Sequence, residues 1–147
     1  MIVVDDIDGI LLTPLNVINT SRGNVLHGMK VEDTGYSGFG EAYFSFIGTD
    51  VIKGWKRHHQ MVLNLVVPVG IVRFVIYDDR KNSATFNNYQ EVTLSKNNYQ
   101  RLTVPPMLWM AFQGIGQQEN MVLNIGNIPH EPNEADLKQV EELPFPW

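Results

Sequence analysis

The chain has 147 residues, enough for one domain of ordinary size with a hydrophobic core. Hydrophobic residues make up 44% and charged residues 18%, which excludes a disordered polymer, and the formal net charge of −5 argues against a general nucleic-acid binder. With no cysteine there can be no disulfide or thiolate metal site, and no apolar run approaches the roughly 20 residues that span a bilayer.

The N-terminal MIVVDDIDG has neither the basic start nor the long apolar centre of a signal peptide, so a cytoplasmic protein without membrane insertion is expected. Helical periodicity is almost absent, and β-branched and aromatic residues come in short runs between Gly, Asn and Pro clusters. Strands are predicted at Ile10–Leu15, Val25–Val31, Glu41–Ile47, Val51–Lys56, Met61–Val66, Ile71–Asp78, Glu91–Leu94, Gln100–Val104, Leu108–Gln113 and Met121–Ile125. The one helix the pattern supports is Asn133–Glu142, with Asn133 as N-cap and Glu134 in the acid-favouring first turn. Strand spacing with turns such as PVG (68–70), KNS (81–83) and KNN (96–98) predicts an all-β antiparallel sandwich or barrel, one domain over residues 1–147.

Within Ile71–Asp78 both alternating faces are largely apolar. That suits a strand covered on one side by a barrel interior and on the other by a second sheet or a partner subunit, so a homodimer is expected. The segment Val51–Gly70 concentrates basic and histidine residues ahead of a β-type run. Alternation puts Lys56 and His58 on one side of the strand, and Arg57 and His59 on the other.

The stretches YDDRKNSATF (77–86) and LSKNNYQRLTVPP (94–106) resemble the D-L-R-x-x-S-x-T-F and L-S-x-x-N-x-x-x-L-x-x-P-P runs of the dTDP-4-dehydrorhamnose 3,5-epimerase family. SRG (21–23) is similar to that family's D-x-R-G, and VIKGWK (51–56) to its V-L-R-G-L-H. The resemblance runs from about Ile7 to Trp147. It implies a cupin-type double-stranded β-barrel, or jelly roll, usually dimeric. The implied chemistry is epimerisation of a nucleotide-linked 4-keto-6-deoxy sugar without metal or organic cofactor, in surface-polysaccharide biosynthesis.

Carried over position by position, Arg22 matches the arginine of D-x-R-G and Lys53 that of R-G-L-H, and both could face a diphosphate. Ser45 and Glu41 fall where the family carries a serine and a glutamine. The family's catalytic histidine falls on Lys56, its I-P-P-G-F-A-H-G-F appears as VPPMLWMAF (104–112) with Met110 for histidine, and Met121–Ile128 holds no counterpart of its tyrosine. The sugar 3,4-ketoisomerases of the same fold carry R-G-x-H-A-H, which KGWKRH (53–58) resembles, with His58 at the second histidine.

Epimerisation beside a ketone needs a base for the α-proton and a cation or donor for the enolate. An imidazole titrates near neutral pH, which makes His58 the natural base and the Lys56 ammonium its electrostatic partner. The competing reading is that both are solvated strand residues. Tyr43, Trp55 and Trp109 are candidates to stack on a base or sugar ring, with core packing as the alternative. No metal is expected: His58 and His59 are adjacent, so one strand cannot aim both at one ion, and His130 with Glu131 and Glu134 lies in a Pro-bounded loop. Three function classes are left: an isomerase using His58 and Lys56, a catalytically inactive module that binds a sugar or nucleotide sugar, and a structural or assembly protein whose cavity would be plugged by apolar side chains.

Overall fold

The computed structural model describes residues 1–147. Thirteen strands form in chain order: β1 (Ile2–Val3), β2 (Leu11–Pro14), β3 (Val17–Ile18), β4 (Val25–Leu26), β5 (Glu41–Phe46), β6 (Ile52–His58), β7 (Leu63–Val69), β8 (Ile71–Tyr77), β9 (Asn88–Ser95), β10 (Gln100–Val104), β11 (Trp109–Gly114), β12 (Met121–Gly126) and β13 (Ala135–Lys138). They build a jelly roll of two facing sheets, one in the order β1-β9-β8-β11-β6-β13 and the other β2-β10-β7-β12-β5, with β3 and β4 as a separate hairpin. All pairings are antiparallel except β1 with β9. No helix is long and apolar enough to cross a membrane.

Strand alternation explains the core. Val72, Phe74 and Ile76 of β8 and Val92 and Leu94 of β9 meet Leu63, Leu65 and Val67 of β7 and Leu102 and Val104 of β10 between the sheets. The β7–β8 turn needs its glycine: Gly70 has φ +83°, and a Cβ there would sit 2.3 Å from the Glu119 carbonyl oxygen.

The outer face of the six-stranded sheet is also apolar, as expected for Ile71–Asp78, and the chain covers it with its own C-terminus. Trp55, Val75, Tyr89, Trp109 and Ala111 form a second buried cluster with Phe145. Trp147 packs its ring 5.9 Å from that of Trp55, and Phe145 lies 5.4 Å from Tyr89. The outer face of the five-stranded sheet is covered only in part. There the buried Arg101 donates to the carbonyls of Gly28 (2.9 Å) and Thr34 (2.9 Å) and pairs with Asp33, pinning the segment ahead of β5. Phe44 and Phe46 on the edge strand β5 are left exposed.

The expected helix over Asn133–Glu142 is corrected. Ala135–Lys138 is a strand, and only Val140–Glu142 forms a single 3₁₀ turn. Its helix-favouring residues instead pair with β6, Ala135 opposite His58, Asp136 opposite Arg57, Leu137 opposite Lys56 and Lys138 opposite Trp55. Cross-strand pairing of Asp136 with the basic Arg57 outweighs a weak local helix propensity. The expected strand Val25–Val31 shortens to Val25–Leu26, because the following residues lie over Arg101.

Candidate active site

The site is organised by an irregularity in β6. Lys56 lies opposite Met110 and Lys53 opposite Phe112, so Gly54 and Trp55 together oppose the single residue Ala111. This β-bulge adds one residue, and Lys53 therefore shares the inner face with Lys56 and His58 despite a spacing that would otherwise separate them. Trp55 and Arg57 turn outward.

Between the sheets, beside the core, lies a cavity of about 290 Å³. Lys53, Lys56 and His58 of β6 face Tyr43 and Ser45 of β5 and Asn124 of β12 within it, and Leu63, Leu108, Met110 and Phe112 supply its apolar lining. Leu137 of β13, mostly exposed, stands at its opening. A smaller space of about 110 Å³ adjoins it, shared through Lys56 and His58 and closed by His130–Pro132 and Glu134.

His58 is held by a carboxylate. Its Nδ1 lies 2.6 Å from Oε1 of the buried Glu134, whose Oε2 accepts the backbone N–H groups of Gln60 (2.8 Å) and Met61 (2.9 Å). Burial alone would raise the Glu134 pKa, but the donors from Gln60, His58 and Met61 outweigh it and hold the group at about 2. Glu134 is therefore ionised at neutral pH. It fixes the ring orientation, leaves Nε2 as the nitrogen available to take a proton, and stabilises the imidazolium that would result.

The two lysines form no ion pair within the chain. The Lys53 ammonium lies 5.7 Å from the centre of the Phe112 ring. Two unpaired cations in one cleft of a chain with net charge −5 favour an anionic ligand. On the opposite wall, Asn124 donates to Ser45 Oγ at 2.9 Å. Burial, with Glu41 adding repulsion, pushes the Tyr43 phenol above its ordinary pKa, so it remains a hydroxyl donor. No group of three or more His, Asp or Glu side chains converges to hold a metal ion.

Of the residues singled out in the sequence, His58, Lys56, Lys53, Ser45 and Tyr43 line the cavity. Glu41 does not; it starts β5 opposite Gly126. Arg22 occupies an exposed turn in the β3–β4 hairpin, its backbone N–H bonded to Thr20 Oγ1, and the chain does not bring it to the cavity. Trp55 and Trp109 are corrected: both are buried in the outer cluster, Trp55 donating to the Val140 carbonyl (3.1 Å) and Trp109 to the Asp79 carboxylate (2.9 Å). Glu134 and Asn124 were not anticipated. No local signal pointed to Glu134: period two would set it on the outer face with Asp136, whereas it lies just ahead of β13 and turns toward His58. The YDDRKNSATF motif is a structural lock: buried Asp78 accepts from Arg80 Nε (2.8 Å), Ser83 (2.6 Å) and Thr85 (2.7 Å).

A family model described as dTDP-4-dehydrorhamnose 3,5-epimerase matches residues 5–143. The crystal structure of a dTDP sugar isomerase from Desulfovibrio desulfuricans is 35% identical, superposes with a TM-score of 0.92, and is matched over 96% of this chain and 92% of that one. A probable low-salt glycan biosynthesis epimerase of Haloferax volcanii is 25% identical over 100 residues, 67% of this chain, which spans 64% of that protein's length. A spore coat polysaccharide biosynthesis protein of Bacillus subtilis is 22% identical over 145 residues, 96% of each chain.

Proposed function

The chain belongs to the dTDP-4-dehydrorhamnose 3,5-epimerase family, and from that premise we propose that it isomerises a nucleotide-linked 4-keto-6-deoxy sugar in surface-polysaccharide biosynthesis. His58 is the base that removes the proton beside the ketone. The observation that carries this is the contact of its Nδ1 with ionised Glu134 at 2.6 Å, on the wall of a cavity that also holds Lys53 and Lys56. The electron pair of the broken C–H bond moves into the enolate, whose oxygen is stabilised by the Lys56 ammonium, and the proton on His58 is balanced by Glu134. Delivery of a proton from solvent to the opposite face of the enolate carbon, with His58 releasing its own proton to solvent, inverts that carbon with no net redox change.

Lys56 stands where the family carries its histidine, and His58 lies two residues further on the same face, about 7 Å along the strand. The base is thus displaced by one repeat of the pleat within the same cavity. Lys53 is proposed as a cation for the diphosphate, and Ser45 and Tyr43 as groups that meet the substrate within the cavity. We also propose that the protein is cytoplasmic and a homodimer; the exposed Phe44 and Phe46 on β5 and Val17, Ile18 and Val25 on the hairpin support the dimer.

The Lys56 substitution and the absence of a tyrosine from Met121–Ile128 favour a second reading, a module that binds the nucleotide sugar without turning it over. Incubation with a dTDP-4-keto-6-deoxy sugar in D₂O separates the two. Deuterium entering the carbon beside the ketone is the expected result. Saturable binding by calorimetry without exchange would leave the binding module, and neither binding nor exchange would overturn both.

A further inference from the structure

We propose that an ion cluster on the outer face of the six-stranded sheet, Asp79–Arg57–Asp136–His59, positions Glu134 and through it the ring of His58. The inference rests on the reading of His58 and Glu134 as the working pair. None of the four side chains lines the main cavity.

Glu134 immediately precedes β13, a strand of four residues at the edge of its sheet whose sole neighbour is β6. So short an edge strand frays easily unless something fastens it. The fastening is visible. Arg57 donates to Oδ2 of Asp136 from both Nε (3.1 Å) and Nη2 (2.7 Å), and His59 Nε2 lies 2.9 Å from the same oxygen. Arg57 is held in turn by Asp79, which its Nη1 reaches at 3.2 Å. Trp109 fixes Asp79 through Nε1 at 2.9 Å and lies beneath the guanidinium, 4.6 Å from ring centre to Cζ. The His59 backbone N–H also donates to the Glu134 carbonyl at 2.8 Å, so the cluster closes on the residue it positions.

The inner and outer faces of β6 are thereby coupled. Arg57 lies between Lys56 and His58 in the chain, and its register partner Asp136 lies two residues after Glu134. Loss of the outer latch releases β13, and the carboxylate that orients His58 moves with it. A displacement of about 1 Å at such a group costs on the order of 10²-fold in rate. Arg57, His59 and Asp136 are positioning residues, which accounts for the half of the basic segment that points away from the cavity.

The test uses the full chain and a readout that needs no substrate. A short hydrogen bond from an imidazole Nδ1–H to a carboxylate gives a far-downfield proton resonance, assigned here by its loss in Glu134→Gln. Asp136→Asn, which removes the charge and keeps the shape, is expected to abolish or broaden that resonance with the fold intact. His59→Gln, which removes one arm of the latch, gives a smaller loss of the same signal should Asp136→Asn fail to fold. In turnover, Asp136→Asn lowers kcat on the order of 10²-fold with KM nearly unchanged, and has no further effect in a Glu134→Gln background. A resonance that persists in Asp136→Asn, or an equal additional rate loss in the Glu134→Gln background, overturns the proposal. Loss of the resonance in a protein that exchanges no deuterium into the sugar would uphold the positioning role and overturn the enzymatic reading alone.

Discussion

Glu134 does two things for His58 that a solvated carboxylate could not. Its backbone donors from Gln60 and Met61 fix its position, and they keep it ionised in a buried place. Because its pKa is depressed from 4.5 to about 2 on folding, its contribution to stability is present in full above pH 4.5 and is lost as pH falls through 2. Thermal melts of the native protein should therefore lose Tm more steeply across that window than melts of Glu134→Gln; parallel curves would contradict this account. At this scale the sequence was half legible. Simple alternation places Lys56 and His58 together, but the partner of His58 lies 76 residues away, and no local pattern connects the two. Read locally, Glu134 is an acid in the first turn of a helix; only the approach of a second strand makes it a ligand of His58.

The element that shapes the site is β6. A regular strand would turn Lys53 away from Lys56, and the bulge at Gly54–Trp55 brings both to the cavity. Bulges depend on the opposing strand, so this one could not be read from β6 alone, although a glycine inside a strand is the usual hint. Plain alternation turns both tryptophans outward, Trp55 beside the inward Lys56 and Trp109 beside the inward Met110: aromatic residues beside a basic cluster look like a stacking platform, and here they build the floor under the C-terminal tail. Gly54 also lies close against the end of β13, since a Cβ there would sit 3.0 Å from the Lys138 carbonyl oxygen. Gly54→Val is expected to push β13 away and to cost about 1–3 kcal/mol. Hydrogen exchange would then show faster opening of β13 than of β8; a melt and an exchange pattern identical to the native protein's would contradict the assigned packing.

For the whole molecule, turn spacing and ordered motifs made the two-sheet architecture legible, because short strands between Gly, Asn and Pro clusters have few other solutions. The partner subunit was expected from the wrong surface. The apolar outer face of Ile71–Tyr77 is covered by Phe145 and Trp147, and the surface that supports a homodimer is the open end of the other sheet at Phe44 and Phe46. Sedimentation should find a dimer that Phe44→Asp with Phe46→Asp converts to monomer; a monomeric native protein would contradict the proposal. The jelly roll supplies two walls, a cationic cleft between them and, on its wall, His58 held against Glu134. The central claim is that the base is His58, and deuterium exchange into a dTDP-4-keto-6-deoxy sugar tests it most directly when the native protein and His58→Asn are compared. The account predicts that His58→Asn binds the sugar nucleotide by calorimetry but exchanges it at least about 10²-fold more slowly. Equal exchange rates in the two proteins would contradict it.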